Sequence, residues 1–159
     1  MVTFDSVIKK AYEVYLTRDN YCYLMGGKGQ VVTDALIDNL IKWYPEHYSR
    51  YNEAEIKKIK NYSRGKIAFD CSGFTAFLHG DNTYSGQQIT NCKLNPSLAG
   101  GVAGSLLWKP GHVGIDVGYG LFMHFPIELH TCELGWIRDY NWEKSGLHKN
   151  IDYTGSTNK

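Results

Sequence analysis

The sequence lacks the features that mark several common classes of protein. Its 17 Lys and Arg residues nearly balance its 16 Asp and Glu residues, without a basic tract, so no nucleic-acid partner is expected. No apolar stretch approaches the roughly 20 residues of a membrane-spanning helix, and we expect no membrane span. The N-terminal stretch MVTFDSVIKKAYEVYL has neither the apolar core nor the cleavage site of a secretory signal. We therefore expect synthesis in the cytoplasm without a signal peptide.

The four cysteines, at positions 22, 71, 92 and 132, contain no C-x-x-C pair, and this spacing gives a structural zinc site little support. Because a secretory signal is absent, we expect four free thiols. No cofactor and no metal are expected. A metal site built from His112, His124 and Cys132 remains as a minor alternative, which loss of activity with a chelator would support.

Helical patterns come first along the chain and strand patterns come later. Apolar spacing predicts a helix over residues 4–18, a second helix capped by Thr33, a third that begins with a capping box at Asn52 and Glu55, and a short one from Cys71. Residues 23–30 and 80–100 are predicted to be loops. Residues 104–126 and 128–137 are β-branched and aromatic segments separated by Gly and Pro, typical of antiparallel strands. We therefore predict a single α+β domain over residues 1–159, with helices packed on an antiparallel, partly barrel-like sheet.

The segment FDCSGFTAFLHG, residues 69–80, places Cys71 at the start of a predicted helix. A cysteine nucleophile reacts as a thiolate, and both a helix N-terminus and a nearby imidazole lower the pKa of a thiol. Gly73 allows the backbone to approach a substrate closely, and backbone N–H groups in this turn are candidates for holding an oxyanion. The alternative is that Cys71 is a small buried apolar residue.

Two of the six histidines are candidates for the partner of Cys71. A three-residue hairpin loop at residues 118–120 would place His124 opposite Gly114, so that His112 and His124 share one face of the sheet. A two-residue loop would place them on opposite faces. The other face would carry three core residues, Val113, Ile115 and Val117. His47 and His79 are predicted to be solvated surface residues, and His148 is placed in a polar loop.

Four segments, in this order, together resemble the NlpC-type cell-wall peptidases, which are compact papain-like enzymes. FDCSGF is similar to the Asp-Cys-Ser-Gly nucleophile motif of that family, and GHVGIDVGYGLFMH to its histidine strand with a further histidine twelve residues on. YLMGG, residues 23–27, resembles its Tyr-x-x-Gly-Gly segment, and GSLLW, residues 104–108, its Gly-Asp-Leu stretch. The resemblance covers about residues 21–126.

The resemblance implies a role for each matching residue. Cys71 would be the nucleophile, His112 the base and then the acid, and His124 the residue that orients His112, with His130 as a less well spaced competitor. Substrate or oxyanion contacts are assigned to four residues around the nucleophile: Tyr23, Asp70, Ser72 and Gly73. In the family the tyrosine motif lies about a dozen residues before the cysteine, whereas 48 positions separate the two here. Residues 28–66 are therefore interpreted as a helical insertion, either a lid or a substrate wall.

The implied function is cleavage of an amide bond in peptidoglycan stem peptides, with the link from D-glutamate to the diamino acid as the expected bond. Alternatives are an N-acetylmuramoyl-L-alanine amidase, another amide hydrolase or acyltransferase on the same fold, and a non-catalytic wall-binding module. We also expect a monomer of bacterial or prophage origin that acts on the cell wall if it is released.

Overall fold

The computed structural model describes residues 1–99 and 101–156, and within these residues six α-helices and eleven strands form an α+β fold. The helices are α1 (Phe4–Leu16), α2 (Asp34–Trp43), α3 (Pro45–Tyr48), α4 (Glu53–Ser63), α5 (Cys71–His79) and α6 (Ser85–Thr90). The strands are β1 (Val2–Thr3), β2 (Tyr21–Tyr23), β3 (Lys28–Val31), β4 (Ile67–Phe69), β5 (Cys92–Leu94), β6 (Leu106–Lys109), β7 (His112–Gly118), β8 (Leu121–His124), β9 (Glu133–Trp136), β10 (Lys144–His148) and β11 (Ile151–Asp152).

Side-chain caps fix where the early helices begin. Thr3 and Thr33 each accept a hydrogen bond from a backbone N–H in the first turn of α1 and α2, respectively. Asn52 and Glu55 form the reciprocal capping box at the start of α4 that the sequence predicts. Three of the predicted helices therefore begin where their capping residues place them.

The main sheet has six strands in the order β5-β10-β6-β7-β8-β9, with antiparallel pairing throughout. Helix α5 packs across β7, and the largest core cluster lies between this sheet and α1, with Phe74 and Phe125 among its fully buried side chains. In the described pairings β5 and β9 are edge strands, so the sheet is open. The partly barrel-like closure that the sequence predicts is not seen in these pairings.

A small sheet and three helices make a second core. Strand β4 lies between β2, to which it is parallel, and β3, to which it is antiparallel. Helices α2 to α4 pack on this sheet through a cluster that includes Ile37, Leu40 and Ile59, all buried. The segment interpreted as an insertion, residues 28–66, therefore contains β3 and all three of these helices.

Several local predictions are wrong. Residues 80–100, predicted to be a loop, contain α6 and β5, and β3 begins inside the predicted loop over residues 23–30. His79 and His148 are buried rather than solvated, with rings stacked at 4.1 Å, and His148 lies in β10. His148 Nε2 bonds to the Asp81 carboxylate at 2.8 Å, so burial is compensated by a polar network that the sequence alone does not show.

No helix in the described part of the chain is long and apolar enough to cross a membrane. The cysteines at positions 22, 71, 92 and 132 are free thiols, as the sequence predicts.

Candidate active site

Cys71 is the first residue of α5, and Asp70 is the N-cap that places it there. The Gly73 N–H donates to Asp70 Oδ1 at 2.7 Å, which closes the first turn of the helix. The sulfur of Cys71 is partly buried beside Val113 of β7, whose backbone N–H donates to it. The cap and the sheet together therefore hold the thiol at the helix tip.

The Asp70 carboxylate is occupied by donors from its own fold. Besides Gly73, it accepts from the Gly26 N–H at 3.1 Å and from Lys28 Nζ at 2.8 Å. The Ser72 hydroxyl lies in the same cluster, 3.3 Å from both Asp70 Oδ1 and Lys28 Nζ. Asp70, for which the sequence predicts a substrate or oxyanion contact, lines the cleft that contains Cys71, and these bonds also tie α5 to the Gly26–Lys28 loop.

Gly73 is needed for packing, and its N–H is committed to the cap rather than left for an oxyanion. A Cβ at this position would collide with the carbonyl oxygen of Gly27 and come within 2.9 Å of Asp70 Oδ1. The glycine motif after the cysteine therefore lets α5 touch the loop that precedes β3.

We predict that Gly73→Ala lowers the free energy of unfolding by about 1–3 kcal/mol, because backbone atoms of Gly27 cannot move aside as a flexible side chain can. Urea denaturation measures the change. Gly86→Ala in α6 is the matched control, since its added methyl meets only the exposed ring of Tyr84, and it should leave stability unchanged or raise it. Equal effects of the two substitutions would contradict the packing argument.

The two candidate histidines lie on one face of the β7–β8 hairpin, although the predicted loop is wrong. The turn has two residues, Tyr119 and Gly120, both with positive φ (60° and 78°). A bulge between Asp116 and Gly118 absorbs one extra residue in β7, and the register then pairs Ile115 with Met123. The bulge therefore restores the alternation that a two-residue loop alone would have reversed.

His112 and His124 are in direct contact, with His112 Nε2 2.7 Å from His124 Nδ1. If the His112 Nε2–H donates, the other ring nitrogen of His112, Nδ1, is unprotonated and able to accept a proton from a thiol. His112 lines the same cleft as Cys71. The structure therefore brings together the three residues that the sequence singles out as catalytic.

Aromatic side chains hold the two imidazoles in place. The Trp142 indole stacks on His112, with ring centroids 5.4 Å apart and planes 9° apart. The Tyr140 ring lies edge-on to His124 at 5.3 Å. A Cβ on Gly114 would come within 3.0 Å of the indole, so this glycine makes room for Trp142. Neither aromatic residue is predicted from the sequence, because both lie outside the matched motifs.

On the side away from His112, the polar contacts of His124 continue to the side chains of Glu133 and His130. Glu133 pairs with His124 across the β8–β9 register, and its Oε1 lies 3.9 Å from His124 Nε2. The other Glu133 oxygen bonds to His130 Nδ1 at 2.6 Å. His130, the competitor considered for the third position, therefore contacts Glu133, whereas His124 occupies the place beside His112.

Burial keeps both the Cys71 thiol and the His112 imidazole uncharged at neutral pH. It raises the pKa of the Cys71 thiol to about 11, with a further contribution from the Asp70 carboxylate, and lowers the pKa of His112 to about 4, with Lys109 adding to the effect. The sequence predicts that the helix N-terminus and an imidazole depress the thiol pKa, but desolvation outweighs them. A thiolate would therefore form by proton transfer from Cys71 to His112.

The cleft in front of Cys71 has a volume of about 510 Å³. Tyr23 lines it from β2, and Tyr44, His47 and Arg50 line it from the helical segment. Residues from the proposed insertion therefore form one wall of the cleft.

Among residues 1–99 and 101–156, no group of three or more His, Cys, Asp or Glu side chains is arranged to hold a metal ion. Cys132 belongs to the main core cluster and is 1% exposed.

The fold is similar to that of a known structure. The crystal structure of the NlpC/p60 domain of the peptidoglycan hydrolase SagA aligns with a TM-score of 0.52 and 19% sequence identity, and the alignment covers 92% of this chain and 99% of that domain. The sequence matches no protein-family model. It also matches no curated protein. The chain therefore has an NlpC/p60-like papain fold, established by structure rather than by sequence identity.

Proposed function

We propose that the protein is a cysteine peptidase that hydrolyses an amide bond in peptidoglycan stem peptides. The observation that carries the proposal is that His112, in contact with His124 at 2.7 Å, lines the same cleft as a cysteine at a helix N-terminus. The fold shared with a peptidoglycan hydrolase domain supports the choice of substrate.

In the proposed mechanism, His112 Nδ1 takes the proton of Cys71 as the sulfur attacks the amide carbonyl. The resulting imidazolium gives its proton to the leaving amine, which leaves a thioester on Cys71. Water, deprotonated by His112, then hydrolyses this thioester and restores the thiol. His124 acts as a positioning residue, since its bond to His112 Nε2 fixes the tautomer that can accept the thiol proton.

The charge of the cleft suits a substrate that carries carboxylates. Arg50 and Lys109 line it, while its acidic residue Asp70 is paired with Lys28. Stem peptides contain free carboxylates on D-glutamate and the diamino acid, which guanidinium and ammonium groups bind well. This complementarity supports a stem peptide as the substrate, and within it we propose the D-glutamyl–diamino acid bond as the cleaved link.

Digestion of purified peptidoglycan, followed by mass analysis of the soluble fragments, tests the proposal. We expect fragments ending at D-glutamate, absent with Cys71→Ala and unchanged with Cys92→Ala, a control at another partly buried thiol. Fragments cut between muramic acid and alanine would instead identify an amidase. Equal release by wild type and Cys71→Ala would contradict a cysteine mechanism altogether.

A further inference from the structure

A second cavity of about 360 Å³ adjoins the catalytic cleft. The Tyr140 ring lines both spaces, and it also packs against His112 at 6.2 Å. The second cavity lies farther along the hairpin, where Asp116 occupies the same face of β7 as His112. It is large enough for a small ligand, and none of the proposed catalytic residues lines it.

The lining of the second cavity combines aromatic side chains with one acidic residue and one basic residue. Asp116 is 4% exposed, whereas Trp136 is 45% exposed. The Arg138 guanidinium lies over the Trp136 ring at 4.9 Å, and its side chain is 77% exposed. The cavity therefore has a buried carboxyl together with a tryptophan and an arginine that reach solvent.

Among residues 1–99 and 101–156, the buried carboxyl of Asp116 has one hydrogen-bond donor. Its Oδ1 accepts the Gly118 N–H at 2.8 Å, which supports the bulge. A carboxylate can accept several more hydrogen bonds than this one, and burial raises its pKa to about 6. Proteins tend to retain such a group in a cavity where a ligand uses it.

We propose that the second cavity binds a pyranose ring of the glycan strand. One acidic and one basic side chain in a small cavity give its lining no net charge, so the lining selects for neither a cation nor an anion. A neutral ring with many hydroxyl groups can instead donate to the carboxyl, accept from the guanidinium and lay its apolar face on an aromatic side chain.

The position of the second cavity next to the catalytic cleft supports a sugar ring as its ligand. In peptidoglycan the stem peptide branches from a sugar of the glycan strand, so a polymer with its peptide near Cys71 carries a sugar close by. The ring of Tyr140 lies between the second cavity and the catalytic cleft and lines both. The identity of the polymer rests on the proposed function, whereas binding of a sugar by these residues does not.

Titration of the ¹⁵N-labelled protein with chitotetraose, a β-1,4-linked N-acetylglucosamine oligomer without a peptide, tests the proposal. We expect the Trp136 indole resonance to shift with saturation, and Trp136→Ala to weaken binding at least tenfold. Trp43→Ala, at another exposed tryptophan that lies on α2, should bind as wild type does. Absence of saturable shifts, or equal binding by Trp136→Ala and wild type, would overturn the proposal.

Two further variants keep the test independent of folding and of catalysis. Arg138→Ala removes an exposed side chain and Asp116→Asn retains the shape of its residue, and each should weaken chitotetraose binding several-fold. In Trp136→Ala, the rate of cleavage of a free stem peptide should be unchanged, while the digestion of intact bacterial cell walls should slow. Sugar binding without any peptide cleavage would refute only the proposed function, and peptide cleavage without sugar binding would refute only the second site.

Discussion

His112→Ala should lower kcat for peptide cleavage by about 10²- to 10⁴-fold, the contribution typical of a positioned general base and acid. The thiol pKa of about 11 leaves little thiolate at neutral pH, so His112 must take the proton as attack proceeds. The substitution should also slow alkylation of Cys71 by iodoacetamide, because the thiolate is the species that reacts. Kinetics on a stem peptide and mass spectrometry of the labelled thiols measure the two effects.

The pH dependence of kcat/KM gives a second measure of the same group. Below its pKa of about 4, His112 is protonated and cannot accept the thiol proton, so activity should fall only in that acidic range. An unperturbed imidazole would lose activity near pH 6.5. Because burial also lowers the pKa of His79 and of His124, acid protonates the unfolded chain preferentially and destabilises the fold below about pH 6.5. Circular dichroism at each pH separates unfolding from titration.

His124→Ala should reduce kcat less than His112→Ala does, with KM retained, since His124 acts through the other imidazole. His124→Asn should recover part of the loss, because an amide oxygen can accept the His112 Nε2–H. His130→Ala is the matched control, because its ring bonds to Glu133 at 2.6 Å rather than to His112. A loss with His130→Ala as large as with His124→Ala would contradict the assignment.

Local chemistry made much of the fold predictable. The capping residues at the start of α2 and α4 specified where those helices begin, whereas the N-cap role of Asp70 at the start of α5 is not among the predictions. The parallel pairing of β2 with β4 was not predictable, because the strands lie far apart in sequence and each has only three residues. Such short strands carry no alternation pattern and depend on tertiary contacts.

Two features of the site, the register of the hairpin and the pKa of the thiol, could not be predicted from the sequence. The spacing of His112 and His124 predicts that they share one face of the hairpin if the loop has three residues. In the structure a two-residue turn with a bulge places them on one face as well. Bulges have no reliable sequence signal, and their effect on side-chain direction appears only in the register. The direction of the thiol pKa was also missed, because burial depends on packing by distant segments.

Glu128, which no sequence motif singles out, fastens the helical wall of the cleft, formed by Tyr44, His47 and Arg50, to the rest of the site. The Glu128 side chain is fully buried, and it accepts from the Met25 N–H at 2.8 Å, from His47 Nε2 at 2.8 Å and from the Tyr51 hydroxyl at 2.7 Å. Burial alone would raise the pKa of Glu128, but these hydrogen bonds hold it below its ordinary value. One carboxylate therefore joins three segments around the cleft.

Glu128→Ala should lower the free energy of unfolding by about 3–5 kcal/mol at pH 7, the usual cost of removing one partner from a buried pair. His47, Tyr51 and the Met25 N–H would all lose their acceptor. Since the folded pKa of Glu128 is depressed, its contribution is present above the ordinary pKa of 4.5 and is lost as the pH falls below it. Urea denaturation at pH 7 and at pH 4 should therefore show a smaller difference between variant and wild type at the lower pH.

Glu46→Ala is the matched control, because that carboxylate is on α3 and exposed, and it should leave stability within about 0.5 kcal/mol of wild type. Hydrogen exchange in Glu128→Ala should speed up first over residues 44–51, since the bonds to His47 and Tyr51 hold this stretch against the cleft. Because His47 and Arg50 line the cleft, we also expect a higher KM with a smaller change in kcat. Uniform loss of protection across the whole chain would show that Glu128 stabilises the fold generally, without a specific role in holding the wall.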